Sequence, residues 1–324
     1  MKSGYVSIIV PCYNAAATLG RFMDSVMNQT YSYIQVIAIN DGSTDQTAEI
    51  LKNYKAKFVT SEREFIIITQ KNLGLGSAIN SGLKHIQGEY ICWADPDDFY
   101  MKDSVEKRVA ILKSNPDYGA VSSDAYYYDE DNLERPVGRA SDGLRNCNSP
   151  YQFELLLEEA SIFCPGCHMV RYSVMEEVNP KFYIYPARRG QNWQLLLPVY
   201  YKYKRYFLNE PLYGYVRYSD SMSNGDNSEE QLMYRLEEHE KIILETLDGM
   251  SMQEKEREKY KNKIRCRYTL KRFYVAIDHR DYKRVREEYS NIKTMQCNTI
   301  AIDKLYKQNK SLCAKVIYKI WHFR

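Results

Sequence analysis

The first hundred residues alternate four short apolar runs with helix-like stretches, and each run stops at a cluster of polar turn residues. Val6–Val10 is β-branched and stops at Pro11. Ile34–Ile39 stops at Asn40-Asp41-Gly42-Ser43. Phe65–Ile68 leads into Gln70-Lys71-Asn72-Leu73-Gly74, and Tyr90–Ala94 runs into Asp95-Pro96-Asp97-Asp98. The stretches between read as helices: one over 17–28, one opened by the capping-box pair Ser43 and Gln46 and running toward Leu51, and one over 74–86 closed by Gly88. Continuous apolar strands joined by helices imply an α/β fold with a mainly parallel sheet covered on both faces.

Beyond Asp98 the pattern loosens. Asp103 and Glu106 frame a further capping box, and Val105, Val109 and Leu112 mark a helix face ending near Asn115-Pro116. Tyr118–Val121 reads as a strand, 129–150 as an irregular loop, and 151–159 and 190–203 as helices. From 229 onward the chain is long, charged and helical, without Pro and with Gly249 as its one interruption. The expected division is 1–100 as the first half of a domain, 101–225 as the second half of the same domain, and 226–324 as a basic helical C-terminal region. Charge supports the last boundary. Residues 255–324 hold 20 Lys and Arg against 7 Asp and Glu, whereas the preceding 254 residues hold 25 against 35.

Composition excludes several classes. Apolar residues at 44% and charged residues at 27% rule out wholesale disorder. No window approaches the run of about 18 apolar residues that a membrane span needs. The N-terminus has no signal-peptide core, so the eight scattered cysteines are expected to be reduced thiols of a cytoplasmic protein. Cys164-Pro165-Gly166-Cys167-His168 lacks a second Cys/His pair at ligand spacing, which argues against zinc. A dehydrogenase is disfavoured because no Gly-x-Gly-x-x-Gly follows the first strand. A sugar nucleotidyltransferase is disfavoured because Pro11–Ala17 carries no Gly-rich basic loop.

In an open parallel sheet, ligands gather outside the carboxyl ends of the strands. Asp-Gly-Ser alone is usually a turn, and Asp-x-Asp alone is usually a solvated acidic corner. Polar clusters at successive strand ends are harder to explain as separate turns. Three carboxylates in four residues repel one another unless a cation sits among them, and their hard oxygens suit Mg²⁺ or Mn²⁺.

These motifs together resemble family 2 glycosyltransferases: Val6–Asn14, Asn40–Asp45, Asn72-Leu73-Gly74 with Ala78 and Asn80, Gly88–Ile91 and Asp95–Asp98, in matching order and spacing over residues 5–100. The resemblance implies a GT-A-type αβα sandwich, with 1–100 as its nucleotide-sugar-binding half and 101–225 as the acceptor-binding half of the same domain. It also implies a nucleotide-activated sugar donor, UDP being the favoured nucleotide, a divalent metal (Mn²⁺ or Mg²⁺), and inversion at the anomeric carbon. It places Pro11 and Tyr13 in the base pocket, Asp41 as an acceptor of a hydrogen bond from the base, and Asn72 and Gly74 at the donor. Asp95 is then near the ribose, Asp97 on the metal, and Asp98 completing the acidic rim.

Three departures stand out. Relatives often read Ala-Arg-Asn in the third helix, where this chain reads Ala78-Ile79-Asn80, so a cation near the donor is missing. Many carry Gly-Glu-Asp-Trp, with an acid that deprotonates the acceptor; here the stretch is Gly190-Gln191-Asn192-Trp193. An amide accepts no proton at neutral pH, so Gln191 and Asn192, with Trp193, are expected to face the acceptor and hydrogen-bond it only. A His often found before Ser-x-Ser is replaced by Tyr218. The chain then uses another base, for which Asp124 and His168 are candidates, or an acceptor that needs little help, or it binds donor without turnover as a pseudoenzyme or partner subunit. The bland reading of His168 is a satisfied buried side chain.

The expected partners are a nucleotide-sugar donor and a glycan or lipid-linked acceptor of surface polysaccharide or glycan synthesis, with no nucleic acid. Leu312, Val316, Ile320 and Trp321 share a helical face, with Lys315, Lys319 and Arg324 elsewhere, a pattern suited to an anionic membrane surface as well as to simple packing. Peripheral attachment at the inner face of the membrane through 312–324 is therefore expected.

Overall fold

The computed structural model describes residues 1–60, 62–219, 228–312 and 315. The chain forms two compact units, Met1–Ser219 and Asp220–Arg324.

The first unit opens with β1 (Lys2–Cys12), α1 (Leu19–Met27), β2 (Ile34–Asp41), α2 (Thr47–Phe58), β3 (Arg63–Gln70), α3 (Leu75–Leu83) and β4 (Gly88–Trp93). It continues with β5 (Phe99–Tyr100), α4 (Ser104–Ser114), β6 (Tyr118–Asp129), β7 (Gly138–Arg139) and α5 (Phe153–Leu157). A 3₁₀ turn (Pro165–Cys167), β8 (His168–Arg171), α6 (Tyr172–Val178), α7 (Gln191–Lys202) and β9 (Lys204–Arg217) complete it. Among the described residues these strands make one nine-stranded sheet, in the order β3-β2-β1-β4-β8-β6-β9-β5, with β7 paired to β6. The first four are parallel to one another, as their unbroken apolar runs require. β8 then runs antiparallel to both β4 and β6, β9 is parallel to β6, and β5 is antiparallel to β9. The sheet is thus mixed beyond β4.

The core is built from Val6, Ile8, Val10, Val36 and Ala38 of the central strands against Leu19, Phe22, Met23 and Val26 of α1. Two polar residues inside it are used fully. Ser7 Oγ donates to Gln35 Oε1 at 2.5 Å and accepts from the Gly88 amide at 2.9 Å. Gly88 therefore starts β4 and does not cap the preceding helix, which ends at Leu83. A Cβ there would lie 2.7 Å from the Ser7 nitrogen.

Both expected capping boxes are absent. Ser43 Oγ instead accepts from the Asn14 amide at 3.0 Å, and α2 starts four residues later. Asp103 pairs with Lys107 at 2.7 Å. The expected loop over 129–150 begins only where the long β6 ends, and it contains β7. Strands β8 and β9 were not foreseen.

The second unit contains α8 (Glu229–Gly249), α9 (Glu254–His279), α10 (Tyr282–Thr294) and α11 (Ile300–Asn309). Met233, Phe273, Ala276, Val285, Ile292 and Ile302 form its core. Ser228 and Gln231 cap α8 reciprocally. Many of its basic residues are paired, including Lys261 with Asp248 at 2.7 Å and Arg272 with Glu240 and Glu288. No helix among the described residues is long and apolar enough to cross a membrane. Of the expected membrane-facing segment 312–324, all but Leu312 and Lys315 lies outside the described residues.

Candidate active site

The carboxyl ends of β1, β2 and β3 are knitted into one surface. Asn14, in the left-handed region at φ 48°, accepts from the Thr44 amide at 2.8 Å. Asp45 accepts from the Ala16 amide at 3.0 Å and from Thr47 Oγ1 at 2.6 Å. Gly42 has φ +73°, and a Cβ there would come within 2.6 Å of the Asn72 nitrogen, so only glycine lets the two loops meet.

Asp41 is buried and holds the next loop. Its Oδ1 accepts from Gln70 Nε2 at 2.7 Å and the Leu73 amide at 3.0 Å, and its Oδ2 accepts from the Gly74 amide at 2.9 Å. The carboxylate thus fixes the Asn72–Gly74 turn at the start of α3. Pro11 is buried at the end of β1, whereas the Tyr13 ring beside it is half-exposed (51%) and Asn72 is exposed. The structure therefore brings Pro11, Tyr13, Asp41, Asn72 and Gly74 to one edge.

The acidic turn follows β4. One oxygen each from Asp95, Asp97 and Asp98 lies within 4.8 Å of the others. Burial, and then the Asp97 charge, pushes the Asp95 carboxyl up to about 7. Burial raises Asp97 as well, against the nearby Arg21 cation. Asp98 is enclosed (1% exposed), and burial followed by the charges of Asp97 and Asp95 raises its carboxyl well above the ordinary range. Its Oδ1 accepts from the Val216 amide at 2.9 Å, while its Oδ2 has no hydrogen-bond partner among the described residues. Asp98 therefore lies beneath the rim, anchored to β9. All-oxygen donors, mutual repulsion and an orphaned buried oxygen together fit a hard divalent cation held by Asp95 and Asp97 with Asp98 behind them.

The acceptor-side expectation needs correction. Gln191, Asn192 and Trp193 open α7 after Gly190, but all three are buried. Asn192 Oδ1 accepts from the Trp93 indole at 2.6 Å, and its Nδ2 donates to the Phe163 carbonyl at 2.6 Å. The amide is a clamp between the end of β4 and the Phe163 loop. Trp193 packs its ring 4.8 Å from Phe163. Gln191 makes no side-chain hydrogen bond among the described residues, and of the three it is the one that keeps a free amide for a ligand.

Both base candidates are also displaced. His168 is fully buried, stacked on Trp93 at 6.1 Å, with Nδ1 3.2 Å from Tyr200 Oη. Burial, with the Arg205 and Arg108 cations, lowers its imidazole to about 3, so it stays neutral and enclosed. Asp124 is fully buried and accepts from Arg139 Nε at 2.8 Å, Ser141 Oγ at 2.6 Å, and the Ser141 and Ala125 amides at 3.0 and 2.8 Å. Neither side chain reaches a surface from which it could take a substrate proton.

Asn192→Asp should not create a base. The new carboxylate would face the Phe163 carbonyl with no proton between them, costing about 1–3 kcal/mol. The protonated acid still donates to that carbonyl, so its folded-state pKa is raised and the loss grows as pH rises through the ordinary carboxyl range. Thermal melts at pH 4 and pH 8 check this; equal melting temperatures for variant and wild type at pH 8 would refute the clamp.

Two features escaped the sequence reading. Asn80 exchanges two hydrogen bonds of 2.8 Å with the Ile184 backbone, which brings the 184–188 segment onto α3 and puts Arg188 beside Gly74. Arg21 of α1 reaches the acidic turn, donating from Nη2 to the Asp97 carbonyl and, at 2.8 Å, to Tyr218 Oη. The available signal was a lone cation in a helix whose other face is Leu19, Phe22, Met23 and Val26.

Comparison with known proteins bears on the fold and the family. EpsE of Bacillus subtilis, a glycosyltransferase by name, is 30% identical over 223 residues, covering 68% of this chain and 76% of that protein. Matches to glycosyltransferases of Rickettsia typhi and Streptococcus pneumoniae are 40% and 36% identical but span only 32% and 17% of those proteins. Staphylococcus aureus TarS residues 1–349, solved with UDP-GlcNAc, superposes with a TM-score of 0.62 at 16% identity over 85% of this chain and 80% of that one. The Pyrobaculum calidifontis mannosyltransferase PcManGT, solved with GDP-Man and Mn²⁺, gives 0.51 at 14% identity over 98% and 81%. These structures share the GT-A-like fold. The sequence matches the family model Glycosyl transferase family 2 over residues 7–178, and with the EpsE match this establishes that the chain belongs to glycosyltransferase family 2.

Proposed function

We propose that this chain transfers a sugar from a nucleoside-diphosphate donor, a UDP-sugar first, to a glycan or lipid-linked acceptor, with a divalent metal and inversion at the anomeric carbon. The observation that carries the reading is the convergence, at the carboxyl ends of one sheet, of the half-exposed Tyr13 ring, the loops fixed by Asp41 and the three-carboxylate turn. Relatives' structures hold UDP-GlcNAc or GDP-Man with Mn²⁺, which supports a donor of this class. Pro11 and Tyr13 then flank the base, and Asp41 positions the 72–74 amides at the nucleotide. Asp95 and Asp97 hold Mg²⁺ or Mn²⁺, which when bound neutralises the departing diphosphate. The acceptor hydroxyl oxygen forms its bond to the anomeric carbon opposite the bond to diphosphate, which leaves with the electron pair, and the hydroxyl proton passes to water or to the departing diphosphate.

Surface polysaccharide or glycan synthesis is the setting proposed, with peripheral attachment to an anionic inner membrane face through 312–324. High salt should release such attachment.

A second reading is favoured by one observation: the first turn of α7 has no acid, and Asp124 and His168 are enclosed. The chain would then bind donor without transferring it. Thermal shift against nucleotides and nucleotide-sugars with Mn²⁺ or Mg²⁺ tests the first step, since a ligand at 100 Kd adds about 2.7 kcal/mol to stability. No shift with any nucleotide would defeat both readings. A shift without release of nucleoside diphosphate in any acceptor mixture would select the second.

A further inference from the structure

Arg21 is bonded unlike the other arginines that support this half of the fold. Arg63 spreads its guanidinium over the carbonyls of Met27, Gln29 and Tyr31. Arg171 does the same with Leu112, Asn115 and Tyr118, and Arg108 makes four bonds to Ser104, Gly166 and His168. Arg21 uses a single nitrogen. Its Nη2 donates to the Asp97 carbonyl and to Tyr218 Oη, and among the described residues neither its buried Nε nor its Nη1 has a partner. Arg205 is also sparsely bonded, but it is wholly enclosed beside Cys147, whereas Arg21 is half-buried.

Both of Arg21's acceptors are neutral, and no carboxylate lies within ion-pair distance among the described residues. The Phe99 ring backs the guanidinium at 5.9 Å. Tyr218 Oη is also 3.5 Å from the same Asp97 carbonyl, so phenol, carbonyl and guanidinium form one triangle at the acidic turn. A planar cation held on one edge, with its remaining donors unspent, is suited to bidentate recognition of a phosphate.

We propose that Arg21, oriented by Tyr218 and the Asp97 carbonyl, binds the diphosphate of the donor beside the Asp95–Asp97 carboxylates, supplying the cation that Ile79 does not. This rests on the donor class proposed above. Tyr218 acts as a positioning residue, and its phenol turns one edge of the guanidinium away from bulk water.

The test is titration calorimetry of the full chain with Mn²⁺ and the best-bound of UDP, GDP and dTDP, alongside the matching monophosphate and nucleoside. Arg21→Gln can still donate to the carbonyl and the phenol but has no charge. It should bind the diphosphate about 10–100-fold more weakly, with nucleoside affinity unchanged within about twofold. Tyr218→Phe, the milder variant, should weaken the diphosphate about threefold or more and leave the nucleoside alone. Diphosphate affinity equal to wild type in either variant overturns the assignment. So does an equal loss for diphosphate and nucleoside, which would make Arg21 a purely structural support. If wild type binds none of the three diphosphates, the donor reading itself fails.

Discussion

Asp97→Asn is expected to abolish metal-dependent binding of nucleoside diphosphate and to lower sugar transfer by at least about 10²–10³-fold, the cost of removing one preorganised charge-stabilising group. The same change should leave the ligand-free protein folded, with a melting temperature equal to wild type or higher. Three carboxylates crowd within 4.8 Å; burial raises the pKa of each, and the Asp97 charge adds to the rise at Asp95 and Asp98. Removing one negative charge relieves that repulsion, so stability and function move in opposite directions, as at other strained functional sites. Calorimetric titration of Mn²⁺ and nucleoside diphosphate, paired with a melt, reads both effects. A variant that binds both ligands as wild type does would remove the acidic turn from the site.

Asp124→Ala should act in the other currency. Its carboxylate is fully enclosed and accepts four hydrogen bonds, one from the Arg139 guanidinium. Breaking a buried pair costs about 3–5 kcal/mol. Arg139 is itself about one-third exposed and can rehydrate, so the lower end, about 3 kcal/mol, is expected. For a unit of this size that is a fall in melting temperature of roughly 6–12 °C. Nucleotide affinity of the folded fraction should not change. An unaltered melting temperature with a lost turnover number would restore Asp124 as a proton acceptor.

Much of the first hundred residues was legible because it is local. Each parallel strand carries its own apolar run, and each functional cluster follows its strand within a few residues, so Pro11, Asp41 and Asp95–Asp98 fall where the pattern puts them. The part of the first unit beyond Asp98 is assembled from a distance. β9 reads Lys-Arg-Tyr-Phe-Leu-Asn-Glu-Pro, with a proline where β6 pairing shifts register, and no alternation announces it. Asp124 follows an apolar run just as Asp41 does, yet its partners Arg139 and Ser141 come from a returning loop that turns it inward. His168 has a suitable intrinsic pKa, but the Trp93 ring and the Arg108 and Arg205 cations that suppress it come from other elements. Arg21 was missed for the same reason, since its partners lie 76 and 197 residues away.

The path from β4 to β5 sets the order in which the protein can be made. The chain leaves β4 at Trp93 and re-enters the sheet at Phe99, four places along the strand order. Four strand spacings on a flat sheet are roughly 19 Å, about the full reach of the few residues that cover them. Those residues are not extended, because Asp98 turns back to the Asp95 carbonyl at 3.4 Å. The sheet must therefore curl until its far edge meets the acidic turn, and the amide that holds Asp98 there belongs to Val216, 118 residues later. As the chain emerges N-terminus first, β1 to β4 and their loops are available to fold long before β9 has been synthesised. A nascent chain that stops short of β9 carries these strand-end loops with the carboxylate turn not yet anchored, so the acidic turn gains its final hold only with the last strand to be made.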